Sequence, residues 1–451
     1  MALASAPESS RLRGLARSHA LHLLLIFVLG LAFVAGCLTV QLNDDDIAWL
    51  RGQAPTVFDQ YRHLPRLVFG LLHALFGPSP AAALAMILST HALNAWLVYR
   101  LALRLVADHL AASLALAIFL INPLTLGTLT WISCLSYVLG AALALMALLA
   151  LWRGLEAAGR VRLSWLAVAL GCYVGGLFCS HELFFLPAIF ALFGWLQASP
   201  RPAGALVALG LAAALAVNAQ VYSFSRYGVD ASRLWSLNFV LAYVSSALAS
   251  GLALALAYPV SFFVKGHEPL QILFSEPLRW LLTALMAAAA AWSWGKIRRW
   301  RLALSLTIGF VALISPYLLR LYLVPDGVNF HISYILSGRV FYLASTFLAL
   351  ALGWAVAQVV RRLPPRARAV ALLLSLLAYG HALWVYEPQD VAGLAVVRGL
   401  DLAMPPRWNP FTRQHPAWLL LPLAAAALAL ALRRSATRRK EASRAEGFRS
   451  E

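Results

Sequence analysis

Residues 131–153 read WISCLSYVLGAALALMALLALWR, and this run decides the fold. No charge interrupts residues 131–151, and Arg153, Arg160 and Arg162 close the stretch on one side. About 20 apolar residues are what a helix needs to cross ~30 Å of hydrocarbon. Inside that medium the backbone must satisfy its own hydrogen bonds, which a helix does within a single segment. The same grammar recurs along the chain, with apolar segments separated by short basic or Pro/Gly-rich breaks.

Composition agrees. Of 451 residues, 62% are hydrophobic and 12% charged, and mean hydropathy is +0.77, which excludes a water-soluble globular domain of this length. The expected fold class is all-α, a polytopic transmembrane helical bundle rather than a barrel. The net charge of +18 is almost entirely arginine, because the only lysines are Lys265, Lys296 and Lys440. These cations occupy short loops and the tail, where they face anionic lipid head groups, so nucleic acid is not the expected partner. Cys37, Cys134, Cys172 and Cys179 lie in or beside apolar stretches with no CxxC spacing and read as small core residues. Val34-Ala35-Gly36-Cys37 has the form of a lipoprotein processing site, but a lipid anchor adds nothing to a chain with so many other spans.

The charge bias sets the topology. Arg11, Arg13 and Arg17 hold the N-terminus in the cytoplasm, so a first span at residues 21–40 delivers Asp44, Asp45 and Asp46 to the outer face. Further spans are expected at about 80–104, 110–125, 131–151, 163–179, 183–198, 203–223, 278–295, 302–323, 340–360, 369–386 and 417–432, twelve in all. Residues 236–264 are read as re-entrant or interfacial, because a crossing there would invert the charge bias of every later loop. In the first outside loop, 64–76 has the pattern of a helix lying in the membrane interface. The organisation is then a membrane domain over 1–432 and a basic, disordered cytoplasmic tail over 433–451.

Three consecutive carboxylates at the exit of a span form a candidate site, since a charge beside a bilayer must be hydrated, paired or at work. The outer-face inventory also holds Asp59, Tyr61, Arg62, His63, Arg66, His181, Glu182, Arg339 and Arg413. A carboxylate can take the proton of an attacking hydroxyl, and arginine or histidine can offset charge growing on a phosphate leaving group. Both parts are needed to transfer a group from a membrane-embedded phospholipid carrier. His91, inside the second span, reads as a hydrogen-bonded buried histidine rather than a ligand.

Several segments, taken in order, resemble the GT-C class of polyprenyl-phosphate-sugar-dependent membrane glycosyltransferases, in particular its protein O-mannosyltransferase-like and tetratricopeptide-linked branch. They are Asp45-Asp46-Ile47, Tyr61-Arg62-His63-Leu64, Gly77-Pro78 before a span carrying His91 and Asn94, Asn122-Pro123 to Trp131-Ile132-Ser133, Ser180-His181-Glu182 with Pro187, and Gly338-Arg339-Val340-Phe341-Tyr342-Leu343. Together they cover about residues 20–345. The chain departs from the family pattern at His63, His181 and Val340, and no tetratricopeptide repeat follows the last span.

The resemblance implies transfer of a sugar from a polyprenyl-phosphate donor to a glycan, lipid or protein acceptor on the periplasmic face of a bacterial inner membrane. It implies Asp45 as general base with Asp46 or Asp44 assisting, and Glu182 as a second acid. Arg339, Arg62, Arg66, His63, His181 and Tyr342 become the substrate-binding set, with bidentate arginine suited to the lipid phosphate. No cofactor is required by this chemistry. A divalent cation, Mg or Mn, would be an addition held by Asp44, Asp46, His181 and Glu182. The readings from other classes are a transporter or flippase of lipid-linked sugars, and an inactive envelope scaffold.

Overall fold

A computed structural model describes residues 23–31, 34, 44–50, 62–122, 128–129, 131–180 and 341–364, with isolated positions at 183, 186, 189, 277, 278, 281, 284, 288, 309 and 367. Among these residues the chain is all-helical, with no strand. Residues 23–31 are helical, followed by α1 (Asp44–Leu50), α2 (His63–Phe76), α3 (Pro80–Val106) and α4 (His109–Leu120). A 3-10 turn at Ile132–Cys134 leads directly into α5 (Leu135–Glu156), and α6 (Gly159–Leu177) and α7 (Ala344–Arg362) complete the set.

Among the described residues, three helical runs are long and apolar enough to cross a membrane: Pro80–Val106, Ile132–Glu156 and Ala344–Arg362. The expected spans at about 80–104, 131–151 and 340–360 fall on them. The segment expected at 110–125, with a break at Asn122-Pro123, forms a 12-residue helix that stops at Leu120, just ahead of that break, where the proline disfavours helical geometry in the residue before it. The segment expected from 163 begins its helix earlier, at Gly159, and so carries Arg160 and Arg162 within it. The spans expected at 203–223, 302–323, 369–386 and 417–432, the 236–264 stretch and the tail lie outside the described residues, as do most of 183–198 and 278–295.

Local chemistry sets the helix ends. Ser79 starts α3 by accepting from the Ala82 N–H at 3.3 Å, and Pro80 occupies the first turn, where its missing N–H costs nothing. Only Ala107 and Asp108 separate α3 from α4. Ala107 takes the left-handed conformation (φ 54°), and Asp108 accepts from the Leu110 N–H at 3.0 Å. Such tight connections force neighbouring helices antiparallel.

Packing runs in a row: α6 lies on α5, α5 on α3, α3 on α4, and α4 on α7. The run Ile132–Glu156 is the central post, since 78% of its most apolar window is buried against 44% for each of the other two long runs. Between apolar helices in lipid the attraction is close van der Waals fit rather than escape from water. Gly353 of α7 shows this fit. A Cβ there would stand 2.6 Å from the Ala115 backbone nitrogen and 2.8 Å from the Ala111 carbonyl oxygen of α4.

The charged ends gather on one side. Arg104 at the end of α3 donates to both carboxylate oxygens of Glu156 at the end of α5, at 2.7 and 2.9 Å. Arg361 at the end of α7 pairs with Asp108 at the start of α4, at 2.5 Å. The exposed Arg104–Glu156 pair contributes only about 0.2–1 kcal/mol, whereas the Asp108 carboxylate is largely shielded, and both pairs show which ends lie together. Every arginine-rich terminus of α3, α5, α6 and α7 therefore shares one end of the bundle, the arrangement that the positive-inside bias requires.

Replacement of Gly353 by leucine should lower the melting temperature sharply, since backbone rather than a movable side chain occupies the space. Overpacking of this type costs about 1–3 kcal/mol. Thermal unfolding in detergent, followed by helical circular dichroism, measures it, and Gly171→Leu is the control, because nothing lies within 4 Å of a Cβ at Gly171.

Candidate functional site

At the end of the bundle opposite the ion pairs, segments that are distant in sequence meet. Asp46 is fully buried, and one of its carboxylate oxygens accepts from the Ser133 backbone N–H at 2.6 Å across 87 residues of sequence. Ser133 lies in the first turn of the helical run Ile132–Glu156, whose leading N–H groups have no partner within the helix. Asp46 thus caps the central post from another part of the chain, and the positive pole of that helix favours the carboxylate charge. Sequence placed this residue in the acidic trio but gave no sign of its partner, because a backbone N–H has no side-chain signature.

The trio opens a helix rather than forming a free loop: α1 begins at Asp44. Helix α1 is then fastened to α2. The buried Trp49 and Phe69 rings lie 4.9 Å apart, and His73 donates from Nδ1 to the Leu50 carbonyl at 2.9 Å.

Helix α2 brings the next candidates to the same place. Arg62, just before its first turn, sets its guanidinium 5.5 Å from the centre of the Tyr137 ring, one turn along from Ser133. His63 meets Phe178 edge-on at 5.9 Å, and the Leu64 N–H donates to the Phe178 carbonyl at 3.3 Å. The start of α2 therefore lies against the end of α6, two residues before Ser180. Arg66 is exposed. The interfacial reading of residues 64–76 gains a second apolar face here. Pro65 and Phe69 turn into the bundle, while Leu67, Leu71 and Leu75, spaced by four, are exposed.

Tyr342 belongs to a separate buried network. Its hydroxyl lies 2.6 Å from His91 Nδ1 and 3.1 Å from Asn94 Nδ2. His91 Nε2 is 3.0 Å from the Leu120 carbonyl, and Asn94 Nδ2 also donates to the Val138 carbonyl at 2.8 Å. A carbonyl can only accept, so His91 carries its proton on Nε2. Its Nδ1 then accepts from the Tyr342 hydroxyl, whose oxygen accepts from Asn94. One chain of bonds thereby joins α3, the end of α4, α5 and the approach to α7. His91 is the hydrogen-bonded buried histidine that the sequence indicated.

Of the candidates, Asp46, Arg62 and His63 are gathered around the starts of α2 and α5 and the end of α6. Arg66 lies one turn away on α2, and Tyr342 is held in the His91 network. The side chains of Asp44 and Asp45, together with His181, Glu182 and Arg339, lie outside the described residues. Among the described residues no three His, Cys, Asp or Glu side chains group as metal ligands. Sequence reading also missed the ion pair of Asp108 with Arg361; its only signal was a lone acid in the turn that follows Arg104.

No family model matches this chain, and neither a curated protein nor a solved structure matches it.

Asp46→Ala should orphan the Ser133 N–H and cost about 1–3 kcal/mol, read as a fall in melting temperature. Asp46→Asn keeps an acceptor oxygen and should recover most of the loss. If both variants melt with the wild type, the cap is not structural. Tyr342→Phe, which removes one oxygen and leaves His91 Nδ1 without its donor, should cost a similar amount in the same assay.

Proposed function

We propose that this protein is an integral membrane glycosyltransferase of the GT-C kind, moving a sugar from a polyprenyl-phosphate carrier to an acceptor hydroxyl at the outer membrane surface. The observation that carries the reading is the meeting of the Asp45-Asp46 segment with the Trp131-Ile132-Ser133 turn, through the buried Asp46 carboxylate. Those two segments resemble GT-C motifs independently, and Arg62 of a third stands against Tyr137 beside them.

The chemistry divides the acids by role. Asp46 spends an oxygen on the helix terminus and so positions the segment. Asp45, the adjacent residue of the same turn, acts as the base. The acceptor oxygen attacks the anomeric carbon as Asp45 removes its proton, and the bond from that carbon to the phosphate oxygen breaks, its electron pair leaving with the polyprenyl phosphate. Arg339 and Arg62 offset the charge that grows on the departing phosphate. Glu182 orients the acceptor. An apolar surround keeps water from competing for the sugar. The exposed leucines of α2 suit a helix that rests on lipid beside such a reaction.

The test is transfer of radiolabel. Purified protein in lipid, given labelled polyprenyl-phosphate sugars and a cell-envelope extract, should transfer label. Asp45→Asn should lower the rate about 10²–10⁴-fold, the usual contribution of a general base, with its melting temperature unchanged. Equal rates for the folded variant and wild type, or no transfer by either, would exclude the reading.

A further inference from the structure

The other end of the bundle contains a groove that the proposed reaction does not use. It has a volume of about 250 Å³, and its walls come from α3, α5 and α6. Three arginines line it, Arg100, Arg104 and Arg153, together with Trp96 and Trp165. The spacing explains the convergence. Trp96, Arg100 and Arg104 recur every four residues on one face of α3, while Arg153 ends the facing stripe of α5.

Arg100 and Arg153 are displayed rather than neutralised. Arg153 lies over the Trp165 ring at 4.7 Å, and Arg100 over the Trp96 ring at 5.8 Å. Stacking on an aromatic face leaves the N–H edges of a guanidinium free to meet an anion. Glu156 is the only carboxylate paired with this set among the described residues, and it is bonded to Arg104. Three cations facing one anion leave the groove with a surplus of two positive charges.

Its floor is apolar, formed by Leu97, Met146, Leu149 and Val168. Val168 is also about half exposed on the outer face of α6, so the apolar surface runs from the groove toward the surroundings of the helix. A soluble anion would gain nothing from such a floor. An amphiphile would use both parts, with its phosphate on the arginines and its chains along the floor.

We infer that this groove binds an anionic glycerophospholipid from the leaflet at the arginine-rich end of the bundle. The site is independent of the glycosyltransferase reading and requires only that these helices sit in a membrane. Its position, between helix ends that carry the basic residues, is where anionic head groups are concentrated. A lipid seated there would bridge α3, α5 and α6, adding to the Arg104–Glu156 pair and the stacking of Arg153 on Trp165.

Native mass spectrometry of the full-length protein, titrated with phosphatidylglycerol and with phosphatidylcholine, tests the assignment. Wild type should retain phosphatidylglycerol in preference. Arg100→Gln with Arg153→Gln should weaken that binding about fivefold for each charge removed and about thirtyfold for the pair, leaving phosphatidylcholine binding unaltered. Arg100→Lys with Arg153→Lys should keep most of the preference. Arg160→Gln with Arg362→Gln, which removes two arginines at the same end but outside the groove, should change nothing. Circular dichroism checks that every variant is equally helical. No preference in wild type, or a preference that survives the glutamine pair, overturns the inference. Displacement of the lipid by free glycerol 3-phosphate at concentrations comparable to the lipid would also overturn it, by making the site one for soluble anions.

Discussion

The short bond from the Ser133 N–H to the Asp46 carboxylate joins the two halves of the described structure at their most consequential point. The run Ile132–Glu156 is the post against which α3 and α6 pack, and its first turn exposes N–H groups that nothing inside the helix can satisfy. In an apolar setting those groups would carry a desolvation penalty. Asp46 removes part of it, and in doing so fixes where α1 must lie. Once α1 is fixed, Trp49 packs on Phe69 and the Leu50 carbonyl accepts from His73, which ties α2 across the end of the bundle. The placement of Arg62 and His63 follows from that single anchor.

The opposite end is organised differently. There the charges form the exposed pair Arg104 with Glu156 and the half-shielded pair Arg361 with Asp108, and the helices come together by close fit, as at Gly353 against α4. The exposed Arg104–Glu156 pair holds little energy, so on that side of this end the form is set by sterics and by the demand that arginines share one side. The polar network of His91, Asn94 and Tyr342 stands between the two ends. It supplies the lateral tie that brings the approach to α7 against α3, a connection that apolar packing between smooth helices would leave free to slide.

These differences decide what could be read in advance. Apolar runs and arginines located α3, α5 and α7 within a few residues, because hydropathy reports the hydrocarbon slab directly. It does not report where hydrogen bonding ends. Helix α5 continues past Leu151 to Glu156 because Trp152 donates to Glu156 and Arg104 completes that carboxylate, so polar residues beyond the slab still find partners. The start of α6 shows the same effect: Arg162 donates to the Ala157 carbonyl, and the helix begins before its apolar part. Helix α4 ends at Leu120, a little short of the Asn122-Pro123 break that the sequence displays. At the site, Asp46 was legible as a charge needing a reason and His91 as a buried histidine needing a bond. Neither Ser133 nor Tyr342 was legible as the partner, because each contact spans a long sequence separation and one uses only backbone.

Capping alone does not account for a carboxylate at position 46. Asparagine and serine cap helix termini about as well as aspartate, and either would enter a fully buried position without the cost of desolvating a charge. The positive pole of the helical run Ile132–Glu156 offsets part of that cost, so a charged acceptor is accommodated at Asp46 where a neutral one would also serve. The proposed glycosyltransferase reading gives the charge a second use. In a reaction that draws a proton from an acceptor and releases a phosphate, an anion held rigidly by the central helix keeps the neighbouring base in position and favours the cations that must meet the leaving group. On that proposal the charge at Asp46 would serve both the fold, through the positive pole of the central helix, and the site that this helix holds in place.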